Sequence, residues 1–302
     1  MPSIRELRGR IRSVQNIQKI TRAMKLVAAA RQKKAQDRVN AARPYSEKIT
    51  GVMRDLAAST GGNPAAAFAD GSGSASEKEA LELLTGREIV RCGVVVFSGQ
   101  RGLCGSYNTN VLRKAMDVVT HFSRDRVKVI AVGKKAALFF QKRGYEVVMS
   151  EALPAADVPF DLAVKVGQAT RKLYINHEVD QVMFVYTRSL SAMSQRPTTL
   201  TLLPIEIEGA EAKGRTAEYL YEPSAPELLS SLVPRYMDTL LYQALLETHA
   251  GFLGAQMIAM TAATDNAKEV ETRLTLITNR ARQASITNEI LEVVGGAEAL
   301  RS

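Results

Sequence analysis

Apolar residues near the amino end fall at Ile4, Leu7, Ile11, Val14, Ile17, Ile20, Met24 and Val27. The gaps alternate between three and four, the helical period, with a run of threes in the middle that winds the stripe around the helix. Between Ser3 and Leu56 only Gly9, Pro44 and Gly51 interrupt the pattern, which predicts one amphipathic helix of about 50 residues, ~75 Å long. A stripe this narrow does not hold a helix in water by itself, so a companion helix is expected along its length.

The pattern then changes. Residues 59–76, STGGNPAAAFADGSGSAS, are rich in Gly, Ser and Ala and read as a flexible linker. Ile89–Phe97, Val127–Val132 and Val182–Tyr186 are short β-branched runs of the kind that buried parallel strands require. Helical patterns separate them, at Asn108–Arg124, Lys134–Arg143 and Phe160–Asn176. This alternation implies a small parallel sheet with crossover helices, and Thr198–Ile207 is expected as a further strand at one edge.

From Pro226 to Leu300 the helical period returns. Leu229, Val233, Tyr236, Leu240 and Ala244 share one stripe, and Ile277, Ala281, Ala284, Asn288 and Leu291 repeat at heptad spacing. This second helix runs to about 70 residues, ~105 Å if unbroken. The fold class expected is therefore α/β: a long antiparallel coiled coil of the terminal helices with an inserted Rossmann-like parallel-sheet domain. The boundaries read as 1–58 for the first helix, 59–87 for the linker, 88–222 for the α/β domain and 223–302 for the second helix. The longer C-terminal helix should project beyond its partner.

Charge sharpens the picture. The chain carries +9, but residues 1–43 alone hold twelve cations and only Glu6 and Asp37 as anions. One end is strongly basic and the rest is near balance, which points to an acidic partner surface for that end. The amino end lacks the apolar core of a signal peptide, and no apolar run approaches the ~20 residues that span a bilayer. Cys92 and Cys104 have neither the number of a disulfide framework nor the spacing of a metal knuckle, and read as ordinary reduced thiols.

No constellation reads as catalytic. Ser98–Gly105 (SGQRGLCG) follows a strand and precedes a helix, where a phosphate loop would sit, but has neither the GxGxxG nor the GxxxxGK[ST] pattern. It reads as a tight turn made for packing. His121, His177 and His249 show no metal-ligand spacing, and Glu269 with Glu271 reads as a solvated helix face. Neither a metal nor a cofactor is expected. The basic helix could bind phosphates, but positions 1–43 hold no aromatic residue for base stacking and no helix-turn-helix spacing.

The two ends carry a resemblance. IRSVQNIQKITRAMKLVAAARQKKAQDRV followed by ARPYSEKI, RGLCGSYN after the first strand, and AMTAATDNAKEVETRLTLITNRARQASITNEILEVVGGAEAL near the carboxyl end occur together and in order. In these motifs the chain resembles the gamma subunit, the central rotor stalk, of bacterial rotary F-type ATP synthases. The resemblance implies a non-catalytic shaft inside a ring of alternating alpha and beta subunits, with the α/β domain as a foot on the membrane rotor ring of c subunits beside the epsilon subunit. It implies a peripheral position on the cytoplasmic side of the cell inner membrane.

Carried over residue by residue, Arg282, Gln283 and Thr287 match polar contacts between shaft and catalytic ring. Arg22, Met24, Lys25, Arg31, Lys33 and Lys34 would face the acidic loop of the beta subunits, and Tyr221 and Glu222 would lie at the foot. The small, apolar tip Val293–Leu300 suits a low-friction bearing. Segment 59–76 is longer than the family pattern leads one to expect, and no cysteine follows Cys104, which argues against the thiol control of chloroplast-type relatives. Two other classes stay in view: a basic coiled coil that binds nucleic acid, and a nucleotide-dependent enzyme built on the α/β domain.

Overall fold

A computed structural model describes residues 3–59, 64–68, 74–191, 194–207 and 224–299. The chain divides into two compact units: Met1–Ala29 with Gln256–Ser302, and Ala30–Ala255. Two helices run through both, α1 (Ile4–Ser59) and α6 (Ala225–Ala299), of 56 and 75 residues. Tyr221 and Glu222 lie outside the described residues.

In the second unit a five-stranded sheet has the order β3-β2-β1-β4-β5. Its strands are β1 (Cys92–Phe97), β2 (Val127–Val132), β3 (Glu146–Glu151), β4 (Gln181–Ser191) and β5 (Ser194–Leu203). β1 pairs parallel with β2 and β4, β2 parallel with β3, and β4 antiparallel with β5. β1 is buried at every position, and its side chains alternate between two cores, as a strand's period of two demands. Cys92, Val94 and Val96 join α3 (Tyr107–Val119) and α4 (Lys134–Gln141) on one face. Val95 and Phe97 face the larger core, which gathers α5 (Phe160–Ile175), α6 from Leu229 to Leu253, and α1 from Ala35 to Leu56.

The last strand, β5, runs Ser194–Leu203 rather than Thr198–Ile207, and three other elements depart from the sequence reading. The β3 strand was not expected: it is an edge strand whose side chains alternate between exposed and half-buried, and EVVMSE carries an apolar run of just three residues. β1 begins at Cys92 rather than Ile89, leaving Ile89 and Val90 exposed. The stretch read as a linker over 59–87 contains a 3-10 turn, Pro64–Phe68, and helix α2, Ala75–Leu84. Its start is fixed by a capping box in which Ser74 and Glu77 satisfy each other's backbone amides. Ala80 and Leu83 then seat α2 in the larger core.

Two buried polar sites of this unit are sensitive to what surrounds them. Arg171 of α5 lies 2.7 Å from Asp238 of α6, both nearly buried. Gly167 is required beside them, because a Cβ there would collide with the Asp238 carboxylate. His249 of α6 is 5% exposed, and its Nε2 has no partner among the described residues. Burial pushes the His249 pKa down; Arg38 and Arg31 push the same way, while a backbone bond at Ala155 and the Asp157 carboxylate oppose them. A depressed histidine leaves the native state with fewer bound protons than the unfolded chain. The stability it contributes is complete above the unfolded value of 6.5 and is lost as pH falls below it. Thermal melts between pH 7.5 and 5.5 should therefore show a steeper acid decline in the parent than in His249→Gln.

In the first unit the amino-terminal part of α1 pairs with the last part of α6. Gln15 Nε2 donates to Glu271 Oε1 at 2.7 Å, and Thr264 Oγ1 to Thr21 Oγ1 at 2.9 Å. As one number rises the other falls, so the helices are antiparallel. The positions turned inward on α1 are Leu7, Ile11, Val14, Gln18, Thr21, Lys25 and Ala28. On α6 they are Met260, Thr264, Ala267, Glu271, Leu274, Thr278, Ala281 and Ser285. Both sets step by strict fours and threes, the repeat of a coiled coil.

This seam follows the stripe expected from the sequence through Leu7, Ile11 and Val14 and leaves it beyond them. Ile17 and Ile20 are exposed while Gln18 and Thr21 are turned inward. On α6, Ile277 is exposed beside buried Thr278, and of the five heptad positions expected there only Ala281 lies in the seam. The reading placed the most apolar residues inside. Beyond Val14 the fold instead puts mostly small and polar side chains there, whose hydroxyls bond to each other or back to the helix, as Thr278 Oγ1 does to Leu274 O at 2.7 Å.

Candidate partner interface

The ligand position of a doubly wound sheet, beyond the carboxyl end of β1, is taken up by the chain's own groups. Ser98 Oγ accepts from Ala136 N at 2.9 Å, and Gln100 Oε1 from Lys134 N at 3.1 Å, so the first amides of α4 are already bonded. Gly99 N donates to Asn108 Oδ1 at 2.8 Å, and a Cβ on Gly99 would meet the Phe252 ring at 2.6 Å. Tyr107, 5% exposed, bonds to Thr248 O. This crevice is packed protein. Among the described residues no group of His, Cys, Asp or Glu clusters to hold a metal ion, and no helix is long and apolar enough to cross a membrane.

The unusual chemistry lies on the surface of the first unit. Ile17, Ile20, Leu26 and Val27 of α1 are 52%, 60%, 64% and 51% exposed. Residues 17, 20, 24 and 27 form a second stripe at helical spacing, one residue out of step with the seam, and Met24 on it is half-buried. On α6, Val270, Leu276 and Ile277 are exposed, followed by Ile286, Ile290, Leu291, Val293 and Val294. Every residue from 286 to 297 is exposed. The register explains why: α1 begins at Ile4, opposite the region of Thr278–Ala281, so the last turns of α6 have no companion among the described residues of this unit. Contiguous exposed apolar side chains on a soluble surface mark a contact with another molecule.

Cations are interleaved with this apolar surface. Arg5, Arg8, Arg12, Lys19 and Arg22 are exposed, and the unit's salt bridge among the described residues is Arg10 to Glu6 at 2.7 Å. Lys25 lies half-buried in the seam. Arg31, Lys33 and Lys34 belong to the second unit and are exposed. Lys34 is engaged there: its Nζ lies 3.6 Å from Asp157, which Arg38 holds at 2.7 Å. The Arg38 bond is the main reason that the Asp157 carboxyl sits below its usual range.

Arg282, Gln283 and Thr287 are exposed on α6, and the Thr287 hydroxyl donates to Gln283 O at 3.0 Å. The antiparallel register sets Arg22 near Thr264, some eighteen residues before Arg282, so the two groups stand ~27 Å apart along α6. Arg22 and Arg282 therefore do not share one patch. The apolar residues between them escaped the sequence reading because periodicity alone assigns such residues to a core. The signal available was their excess: there are more apolar residues at helical spacing than one seam can hold.

Comparison with known proteins fits this geometry. The family model described as ATP synthase matches residues 3–300. The ATP synthase gamma chain of Heliobacterium modesticaldum is 42% identical over 307 residues, spanning 99% of this chain and 100% of the relative. Among solved structures, a chain of the Euglena gracilis mitochondrial ATP synthase (OSCP, F1 and c-ring) superposes with a TM-score of 0.67 at 17% identity, covering 98% of this chain and 94% of that one. A chain from the central stalk and c-ring of the Tetrahymena thermophila enzyme gives 0.58 at 22% identity, over 81% and 99%. At these identities the structures speak for the fold.

Proposed function

This chain belongs to the ATP synthase gamma-chain family, and from that premise we propose that it is the central rotor shaft of a membrane-associated ATP synthase, without a catalytic site of its own. The coil of the first unit stands inside a ring of alternating alpha and beta subunits. The α/β domain, with Tyr221 and Glu222, forms the foot on the c-subunit ring beside the epsilon subunit. The shaft is peripheral, on the cytoplasmic side of the cell inner membrane. Arg22, Met24, Lys25, Arg31, Lys33 and Lys34 meet acidic loops of the ring, while Arg282, Gln283 and Thr287 make a second, polar contact nearer the tip.

The observation that carries this reading is the coil's division of labour. Its seam mixes Leu7, Ile11, Val14 and Leu274 with small and polar residues, while Ile17, Ile20, Leu26, Val27, Leu276 and Ile277 and most of its cations face outward. A helix pair that leaves this many apolar residues on its outside is built to be enclosed. The outward face also differs around the circumference and along the length, so each catalytic subunit meets a different surface. Rotation then changes nucleotide affinity site by site through differential contact energy, ~1.4 kcal/mol for each tenfold change. Linkage makes the effect reciprocal: binding and hydrolysis at the ring push back on the shaft.

Reconstitution tests this directly. The purified chain, mixed with alpha and beta subunits, should form a stoichiometric complex whose ATPase turnover depends on it. Arg282→Ala with Gln283→Ala should lower that turnover about tenfold, the loss of one or two charge-assisted contacts, while the complex still forms. Failure to form any complex, alongside tight salt-sensitive binding to DNA, would sink the rotor reading.

A further inference from the structure

In the second unit a cleft of about 410 Å³ opens between α1, α6 and the end of β4. Arg43 and Glu47 of α1, Arg188 and Ser189 of β4, and Gln243 and Glu247 of α6 line it. Its size falls within the range of small-ligand sites. Glu247 is 8% and Ser189 6% exposed, so both belong to the floor, whereas Arg43, Glu47 and Arg188 are exposed at the rim.

The floor is short of hydrogen-bond donors. Gln243 Nε2 donates to Glu247 Oε1 at 3.3 Å. Glu247 Oε2, Gln243 Oε1 and Ser189 Oγ then meet no donor in good hydrogen-bond geometry among the described residues, the Ser189 amide approaching the carboxylate without closing a bond. Each such atom costs ~1–3 kcal/mol when buried, and a carboxylate oxygen more. Burial accordingly pushes the Glu247 carboxyl up, with Gln243, Arg188, the Ser189 amide and Arg43 pulling against it. The rim has the opposite need, since two guanidinium groups there present donors in fixed forks. Formal charges cancel across the lining, so neither a bare cation nor a bare anion matches it. The lining instead sorts charge by depth.

We infer that this cleft binds an amphoteric ligand whose guanidinium or ammonium head seats on Glu247, Gln243 and Ser189 and whose carboxylate is met by Arg43 and Arg188. That is the chemistry of a basic amino acid, free or displayed beside an acidic residue on a neighbouring polypeptide. A guanidinium has five donors, enough for the three unmet floor atoms, and Arg–carboxylate pairs are bidentate and strong for their size. The inference does not depend on the rotor reading.

The test uses the full chain and three probes, followed through the amide resonances of residues 188–190 and 243–247. L-arginine should give saturable shifts. Agmatine, which keeps the guanidinium and lacks the carboxylate, should bind at least tenfold more weakly. Glu247→Gln preserves shape and removes a buried charge, so it should fold with an unchanged melting temperature and lose arginine binding at least tenfold. Arg43→Ala with Arg188→Ala should reduce arginine to the level of agmatine. Equal binding of N-acetyl-Arg-Glu-amide assigns the site to a partner polypeptide; binding of free arginine alone assigns it to the amino acid. Shifts that never saturate for any probe, or undiminished binding by folded Glu247→Gln, overturn the inference.

Discussion

Replacing Asp238 by Ala should cost the chain about 3–5 kcal/mol of unfolding free energy. Arg171 would be left charged and nearly buried, holding only the Pro234 carbonyl at 3.4 Å. The loss reflects the stranded charge rather than the worth of the pair. Burial pushes the Asp238 carboxyl up, and the bond and charge of Arg171 only pull against it. Desolvation therefore outweighs attraction, and the pair is not itself a large source of stability. The matching double variant, Arg171→Met with Asp238→Leu, should regain most of the loss, as buried pairs replaced by apolar residues of similar volume do. Denaturant unfolding of the parent, the single and the double variant checks both statements. A double variant as unstable as the single would mean that the pair is a net source of stability after all.

Such a pair has a plain use in a chain that transmits force. It joins α5, which packs on the sheet, to α6, which continues into the first unit. Its strength lies in the penalty for separating its members. Gly167, where a Cβ would strike the Asp238 carboxylate, lets the two helices approach closely enough to form it.

Much of this fold is legible in the residues, and the exceptions share a cause. β1, β2 and β4 stand out because strands covered on both faces need uninterrupted β-branched runs. β3 is an edge strand with one side of each pleat in water, so Val147 and Met149 alternate with exposed neighbours and the apolar run stops at three residues. Helix α2 hides in a stretch whose Gly, Ser and Ala content dominates the reading, although its Ser74–Glu77 cap is a local signal strong enough to find it. The terminal helices are unmistakable in extent and misleading in orientation. Gln18, Thr21, Lys25 and Thr278 take inward positions that hydrophobicity would award to Ile17, Ile20, Met24 and Ile277. The outward placement of most cations could be read from charge alone, because an unpaired cation is costly to bury. The apolar half of the interface could not, because an aliphatic residue at helical spacing looks the same whether its partner is its own chain or another.

That ambiguity has an experimental resolution. Changing Ile17, Ile20, Val27 and Ile277 together to Ser should leave the melting temperature of the isolated chain nearly unchanged, since these side chains are 52%, 60%, 51% and 39% exposed. Helix propensity does not offset the comparison, because Ile and Ser rank close together. Assembly should respond very differently. If a ring encloses the coil, each residue loses the burial of its remaining apolar surface, ~1 kcal/mol apiece at 25 cal/mol per Å². Four together approach ~4 kcal/mol, close to a thousandfold in the dissociation constant for alpha and beta subunits. Thr21→Ala with Thr264→Ala, which breaks the bond between the helices at 2.9 Å, should show the reverse: a lower melting temperature with a modest effect on assembly. Should the four Ser substitutions instead unfold the isolated chain and spare the complex, the exposed stripe would be serving the coil's own stability, and the enclosing ring would have to grip the shaft through its cations alone.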